Sequence, residues 1–296
     1  MRETAIIEWI RRAARLPRGS RVTLGIGDDC AIYRPRAGEE LLFTTDMLLE
    51  GVHFRRQTHT PSVAGRKALA RALSDLAAMG GEPRFCLLSL AANDPRWIAG
   101  FLRGFLRYAQ QVRTPLAGGD LARREPPACD VVLCGAVPPG RALRRDGARP
   151  GDAIYVSGAL GGSALGLATR RGKAWKRHRY PEPRLALGRF LRGRATAAMD
   201  LSDGLSLDLH RLCLASGVAA RIVEPPRFPG ATLEQALDGG EDYELLFTAR
   251  GPIPPRFRGL PLTPIGTIER GPAGRIWLNG KPLAPGGWDH FRRLPS

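Results

Sequence analysis

Apolar residues recur at three- and four-residue spacing over 3–15, 61–79, 95–111, 161–171, 184–192 and 203–216, which predicts a helix over each. Short continuous or alternating apolar runs predict strands over 41–46, 84–91, 130–137, 152–157, 219–223, 243–249 and 263–268. Asn279-Gly280 tolerates positive φ at both centres of a tight turn and predicts a closing hairpin. Strands and helices interleave without a strict βαβ rhythm. The expected class is therefore α/β in mixed α+β layers, not a doubly wound parallel sheet. The proline- and glycine-rich stretch 137–152, between apolar strands, is the expected boundary between domains 1–137 and 138–296.

A chain of 296 residues can bury a sizeable core. With 43% hydrophobic and 25% charged residues, disorder and rod-like architectures are excluded. Apolar runs such as 85–92 stop far short of a bilayer span. The N-terminal MRETAIIEWIRRAARL reads as an amphipathic helix without the features of a signal peptide, and the expected location is the cytoplasm. Five cysteines, at 30, 86, 129, 134 and 213, include no CxxC pair and read as buried thiols.

The net charge of +17 invites a nucleic-acid reading, but its distribution opposes it. Four of the 45 basic residues are lysine (67, 173, 176 and 281), and the arginines are scattered among 36 glycines and 25 prolines. The densest run, 170–179, has Trp175 as its one indole, so no specific nucleic-acid partner is expected, nor a membrane.

The acids carry more information, because in so basic a chain they cluster in glycine-flanked or strand-end contexts. They are Asp28 and Asp29 in GIGDDC, Asp46 in FTTDMLLEGVHF, Asp75 in ALSDLAAMGG, Asp120 in LAGGDLAR, Asp200 and Asp203 in AMDLSDGL, and Asp242 in GGEDYELLF. The run LLF delivers Thr44, Thr45 and Asp46 to an expected strand terminus, where α/β proteins place ligands. Asp75 falls on the apolar stripe of its helix and needs a partner. Ser202 reads as the N-cap of the 203–216 helix, with Asp203 in its first turn.

Gathering such carboxylates is unfavourable: two unit charges about 4 Å apart repel by roughly 4 kcal/mol at an effective dielectric of 20. The all-oxygen donor set points to a hard divalent cation, Mg²⁺ first, which commonly binds substrate phosphates as well. The glycines at 25–27, 118–119, 158–162 and 239–240 would let backbone N–H groups approach those phosphates. Singly, an Asp after a strand is commonly a cap, and a glycine pair a turn. The repetition is what counts. No Walker P-loop, protein-kinase signature or dinucleotide fingerprint is present.

At these segments the chain resembles the thiamine-monophosphate kinase family of the aminoimidazole ribonucleotide synthetase superfamily. The resemblance runs through GIGDDCAI, TTDMLLEGVHF, RKALARALSDLAAMGGEP, LAGGD, GRALRRDGARPGD, SGALGGSALGL, AAMDLSDGLSLDL, DGGEDYELLF, IGTI and GWDHF, from residue 25 to 291. It implies a two-domain aminoimidazole ribonucleotide synthetase-like fold, with an N-terminal domain that dimerises through β-strands and a C-terminal domain that completes the nucleotide site. It implies ATP-dependent phosphorylation of thiamine monophosphate to thiamine diphosphate, with several Mg²⁺ ions. By the same resemblance Mg²⁺ would be held by Asp29, Thr44, Thr45, Asp46, Asp75, Asp120, Asp200 and Asp203. ATP would meet Gly119, Asp120, Arg145 and Ser202, and the thiamine phosphate His53, Glu241 and Trp288. Leu121 and Gly162 depart from the family pattern, where Thr and Asp are usual. Rival readings are another ATP-dependent member of the superfamily, a metal-dependent phosphohydrolase and an arginine-rich RNA-binding protein.

Overall fold

A computed structural model describes residues 3–291. These divide into two compact units, one of residues up to 76 together with 81–140, the other of residues 77–80 together with 141 onward.

In chain order the first unit contains α1 (Glu3–Ala13), β1 (Val22–Leu24), β2 (Ile32–Tyr33), β3 (Glu40–Leu49), α2 (Pro61–Ala78, its last residues belonging to the second unit), β4 (Glu82–Ala91), α3 (Pro95–Gln111), β5 (Leu116–Ala122) and β6 (Ala128–Val137). Its four-stranded sheet has the order β3-β6-β4-β5, antiparallel except for the β4–β5 pair. Both long helices begin at a capping residue followed by proline. Thr60 accepts from Val63 N at 3.4 Å, and Asp94 from Arg96 N at 2.8 Å. Val63, Leu69, Leu73 and Leu76 of α2 and Phe101, Leu102 and Phe105 of α3 are buried, as are Leu48, Cys86, Leu88, Leu90, Val131 and Leu133 of the sheet. On β3 the period-two alternation of side chains divides the sheet: Thr44 and Asp46 bond to α2, so Phe43, Thr45 and Met47 stand on the opposite, open face.

The second unit contains β7 (Ala153–Ser157), α4 (Gly162–Thr169), α5 (Gly172–Arg179), α6 (Leu185–Leu191), β8 (Ala197–Asp200), α7 (Leu205–Ser216), β9 (Ala219–Ile222), α8 (Leu233–Asp238), β10 (Leu245–Ala249), β11 (Arg256–Phe257), β12 (Leu260–Glu269), β13 (Ile276–Leu278) and β14 (Lys281–Leu283). The sheet order is β14-β13-β9-β12-β7-β10-β8, with β11 added beside β12. Every residue of β8 and β10 is buried, which explains why their sequences are apolar apart from Asp200 and Thr248. The expected hairpin is present, with Asn279 at φ 49° and Gly280 at φ 81° between β13 and β14.

The mixed α/β class is as expected from the sequence. Three local expectations are corrected. The 161–171 helix ends at Thr169, because Arg170 turns left-handed at φ 52° and the basic run after it forms α5. The strand expected over 41–46 continues to Leu49, since Met47, Leu48 and Leu49 sustain it, so Thr44, Thr45 and Asp46 lie mid-strand. Of the cysteines, four are buried but Cys30 is exposed. Among the described residues no helix is long and apolar enough to cross a membrane.

Candidate functional site

In the first unit the acids fall into two groups. On the helix-covered face, Thr44 Oγ1 donates to Asp75 Oδ2 at 2.6 Å, the partner that a carboxylate on an apolar stripe requires. Arg71, one turn before Asp75, grips Asp46 with both arms of its guanidinium, Nη2 to Oδ1 at 2.9 Å and Nε to Oδ2 at 3.2 Å. Such a fork is the strongest side-chain arrangement for a carboxylate. An ionised carboxylate still offers about four lone-pair sites, so Asp46 can accept more than Arg71 supplies.

On the open face, Thr45 donates to the carboxylate of Asp130 at 2.6 Å. Cross-strand register places Met47, Asp130, Ser89 and Asp120 in one row over β3, β6, β4 and β5. Asp120 is exposed and continues onto a cavity of about 860 Å³. Asp28, Asp29, Gly118 and Gly119 line the same cavity, over an apolar floor that includes Ile10, Leu88 and Leu102. Gly119 is required by close approach: a Cβ there would lie 1.9 Å from the Leu88 carbonyl oxygen. His53 lies in the turn after β3, where its Nδ1 accepts from Leu49 N at 3.0 Å. In the neutral imidazole this leaves the proton on Nε2.

In the second unit the motifs DLSDG, GGEDYELLF and GWDHF converge through the backbone. Glu241 N donates to Ser202 O at 2.7 Å, Tyr243 N to Leu201 O at 2.9 Å and Trp288 N to Asp203 O at 2.9 Å. Leu245 pairs with Asp200 at the end of β8. Asp200, Ser202, Asp203, Glu241 and Trp288 are thereby brought together. Trp288 is 41% exposed, so it is no core plug and presents an accessible ring. Glu241 and Tyr243 both adopt positive φ, 65° and 51°. Each costs an L-residue about 1–2 kcal/mol, strain of the kind that concentrates at functional sites.

Buried charge holds this loop. Asp242 accepts from Gly161 N at 2.5 Å and Ser163 N at 3.0 Å, filling the N-terminus of α4. Of the backbone N–H groups of that glycine stretch, expected to meet phosphate, Gly161 N is therefore engaged by an internal carboxylate and Gly158 N by the Pro261 carbonyl. Glu244, fully buried, accepts from Arg177 Nη2 and Arg184 Nε, each at 2.8 Å, and from the Ser157 hydroxyl. Burial alone would raise the Glu244 pKa, but Arg184 and Arg177 overcome it and hold the group below its ordinary value. Asp208 shows the reverse: burial first, then the neighbouring Asp203, pushes it up to about 7. It accepts from Asp203 N and Gly204 N at 3.1 Å each, while Arg211 binds both Asp203 and Asp208.

The expected N-cap role of Ser202 is accordingly corrected. The cap position of α7 is Gly204, at φ 123°, a conformation open to glycine, and the Asp208 carboxylate reaches back to the orphan N–H groups.

The chain is similar to known proteins over nearly its whole length. Residues 27–137 match the family model of the AIR synthase related protein, N-terminal domain. Thiamine-monophosphate kinase of Escherichia coli K12 is 38% identical, over 91% of this chain and 92% of its own length. The chain belongs to the thiamine-monophosphate kinase family. A crystal structure of the kinase from Stenotrophomonas maltophilia K279a superposes with a TM-score of 0.83 at 38% identity, covering 96% of this chain and 98% of that one. A structure of AaThiL complexed with AMPPCP and TMP gives 0.77 at 33% identity, covering 98% and 99%.

For a member of this family, the residues carried over by resemblance distribute as follows. Thr44, Asp46 and Asp75 share one face of the first unit's sheet. Thr45 stands on the other, and Asp120 lies in the Asp130 row. Asp29, Gly119 and Asp120 share one cavity. Asp200, Ser202, Asp203, Glu241 and Trp288 gather in the second unit. Arg145 is not brought to Ser202: Ser216 Oγ, at the far end of α7, donates to its carbonyl at 2.8 Å, and the twelve-residue helix spans about 18 Å. Among the described residues no group of three or more His, Cys, Asp or Glu is gathered closely enough to hold a metal ion. Arg71, Asp130, Arg177, Arg184, Asp208 and Arg211 were not singled out by sequence. For Asp130 a signal existed, a lone acid inside the apolar run ACDVVLCGAV.

Proposed function

We propose that this chain transfers the γ-phosphoryl group of ATP to thiamine monophosphate, giving thiamine diphosphate and ADP by direct in-line displacement. The observation that carries this reading is the likeness, over nearly the whole chain, to a kinase complexed with AMPPCP and TMP. The acceptor is a phosphate monoester, whose second ionisation lies near pH 6, so the nucleophilic oxygen is already anionic and no strong base is needed. What the reaction requires is two anions held in line.

The chemistry of the donors, all oxygen, suits Mg²⁺. Among the described residues they are not gathered into one cage: Asp29 and Asp120 are exposed carboxylates on one cavity, Thr44, Asp46 and Asp75 lie on the sheet's helix-covered face with Thr45 opposite, and Asp200 and Asp203 belong to the second unit. Bound there, Mg²⁺ would neutralise charge on the transferring phosphates. The chain itself would position the partners. Gly119 and Ser202 are assigned to the nucleotide; Arg145, held at the far end of α7, is not. His53 and Glu241 are assigned to the acceptor, with the exposed Trp288 ring facing its cationic thiazolium. Purified protein supplied with Mg²⁺, ATP and thiamine monophosphate is expected to form thiamine diphosphate, read by chromatography of the products. Nucleotide turnover without diphosphate would overturn the assignment. The enzyme is assigned to the cytoplasm.

The open face of the first unit's sheet supports a homodimer. Phe43 is 66% exposed and Met47 52%, on one strand face with Thr45 between them. Sedimentation is expected to give twice the chain mass for the wild type, and the single chain mass for Phe43→Glu combined with Met47→Lys. A monomeric wild type would contradict the pairing.

A further inference from the structure

Beneath the turn that carries His53 lies a lysine which no role in the proposed reaction explains. Lys67, on α2, has no exposed surface, and its Nζ donates to the His53 carbonyl oxygen at 3.0 Å. Fully desolvating an ammonium is unfavourable by several kcal/mol, and an apolar side chain of similar length would fill the space without that penalty. The chain nevertheless places there one of its four lysines, the residue type it uses least among its cations.

The turn above is held from every side. His53 N donates to Leu49 O at 2.9 Å, His53 Nδ1 accepts from Leu49 N at 3.0 Å, and Gly51 N donates to Phe54 O at 2.8 Å. On the outside Arg56 Nε pairs with Glu50 at 2.8 Å, and Arg56 also binds Glu125. The backbone bonds to Leu49 fix the turn relative to β3. The Lys67 bond alone among these ties His53 to α2, the helix that also supplies Arg71 and Asp75 to the carboxylate site. Main-chain carbonyl, main-chain amide and ring nitrogen of one histidine are thus all fixed, which sets both its ring orientation and its tautomer.

We propose that Lys67 is a positioning residue for the acceptor site: its buried ammonium clamps the His53 carbonyl so that the imidazole meets thiamine monophosphate in one orientation and with its proton on Nε2. This rests on the assignment of His53 to the acceptor. Displacing a positioned group by about 1 Å costs up to 10²-fold, and the loss should appear where the acceptor binds, not in ATP binding.

The test compares Lys67→Met and Lys67→Gln with the wild type in steady-state kinetics. In parallel, nitrogen NMR of histidine-labelled protein is recorded, with the His53 signals assigned by His53→Gln. The expected result is a rise of about tenfold or more in KM for thiamine monophosphate, with KM for ATP within about twofold of wild type. The His53 nitrogen pattern is expected to pass from a single Nε2–H tautomer to a mixture. Unchanged acceptor KM, equal rises in both KM values, or an unaltered tautomer would overturn the proposal. Failure of both variants to fold would also overturn it, making Lys67 a strut. The spectroscopic arm needs no turnover. A wild type inactive on thiamine monophosphate, with a tautomer that still depends on Lys67, would therefore defeat the substrate assignment and leave the clamp standing.

Discussion

Asp46→Asn is expected to lower kcat by about 10²–10⁴-fold, the equivalent of removing several kcal/mol of cation-mediated stabilisation from the transferring phosphoryl group. Asparagine keeps the size of the side chain and one acceptor for Arg71, but removes the charge that a divalent cation would meet. The Arg71 fork is part of the effect, because its side chain is 11% exposed and that of Asp46 17%. Halving that pair should lower stability by about 1–3 kcal/mol. Arg71→Met separates the two contributions. It breaks the same pair and should cost similar stability, yet it retains the carboxylate and should lose far less turnover. Steady-state kinetics with thermal denaturation of both variants checks this. Near-normal kcat in Asp46→Asn would place the cation site elsewhere.

Glu244→Gln is expected to destabilise the protein by about 3–5 kcal/mol, because removing one member of a buried ion cluster leaves Arg177 and Arg184 without their shared counter-charge. At a few degrees per kcal/mol for a chain of this size, Tm should fall by roughly 10 °C at neutral pH. The pH dependence has a defined sign. Glu244 is held below its ordinary value of 4.5, so its contribution is present above that value and is lost as pH falls through the depressed folded-state pKa. The Tm gap between wild type and Glu244→Gln should therefore be widest near neutrality and close on acidification. Asp208, raised from 3.8 to about 7, acts in the opposite direction: stability tied to its protonated form is lost as pH rises through that interval. It is common to both proteins and cancels in the difference. A gap that widened in acid would mean that Glu244 is not the ionised centre of the cluster.

How far the sequence disclosed this molecule depends on the range of the forces involved. Helices such as α2 and α3, and the hairpin at Asn279-Gly280, were legible because period, cap and turn chemistry are local. The extent of β3 was not, since stopping at Asp46 treats a carboxylate as an end signal. In the fold, Arg71 supplies the partner that lets the strand run on to Leu49. Period-two alternation then sends Thr45 to the face opposite Thr44, a separation invisible to a motif read as consecutive letters. The acids of GIGDDC and LAGGD stood out as neighbours of glycine, and Asp29 and Asp120 line one cavity. The cations answering the acids were not legible. Arg177 and Arg184 reach Glu244 from 67 and 60 positions away, and in a chain with 45 basic residues no single arginine stands out. The same long range hid the cap of α7, where Asp208 does from within the helix what Ser202 was expected to do before it.

The burial of Lys67 also decides what amine-directed chemistry can see. Of the four lysines, Lys173, Lys176 and Lys281 are exposed and all belong to the second unit. An N-hydroxysuccinimide dye or biotin reagent applied to the folded enzyme will therefore decorate that unit alone, apart from the α-amino group. The one lysine of the first unit is closed to such a reagent, so no lysine adduct forms on the unit that carries the acidic cavity.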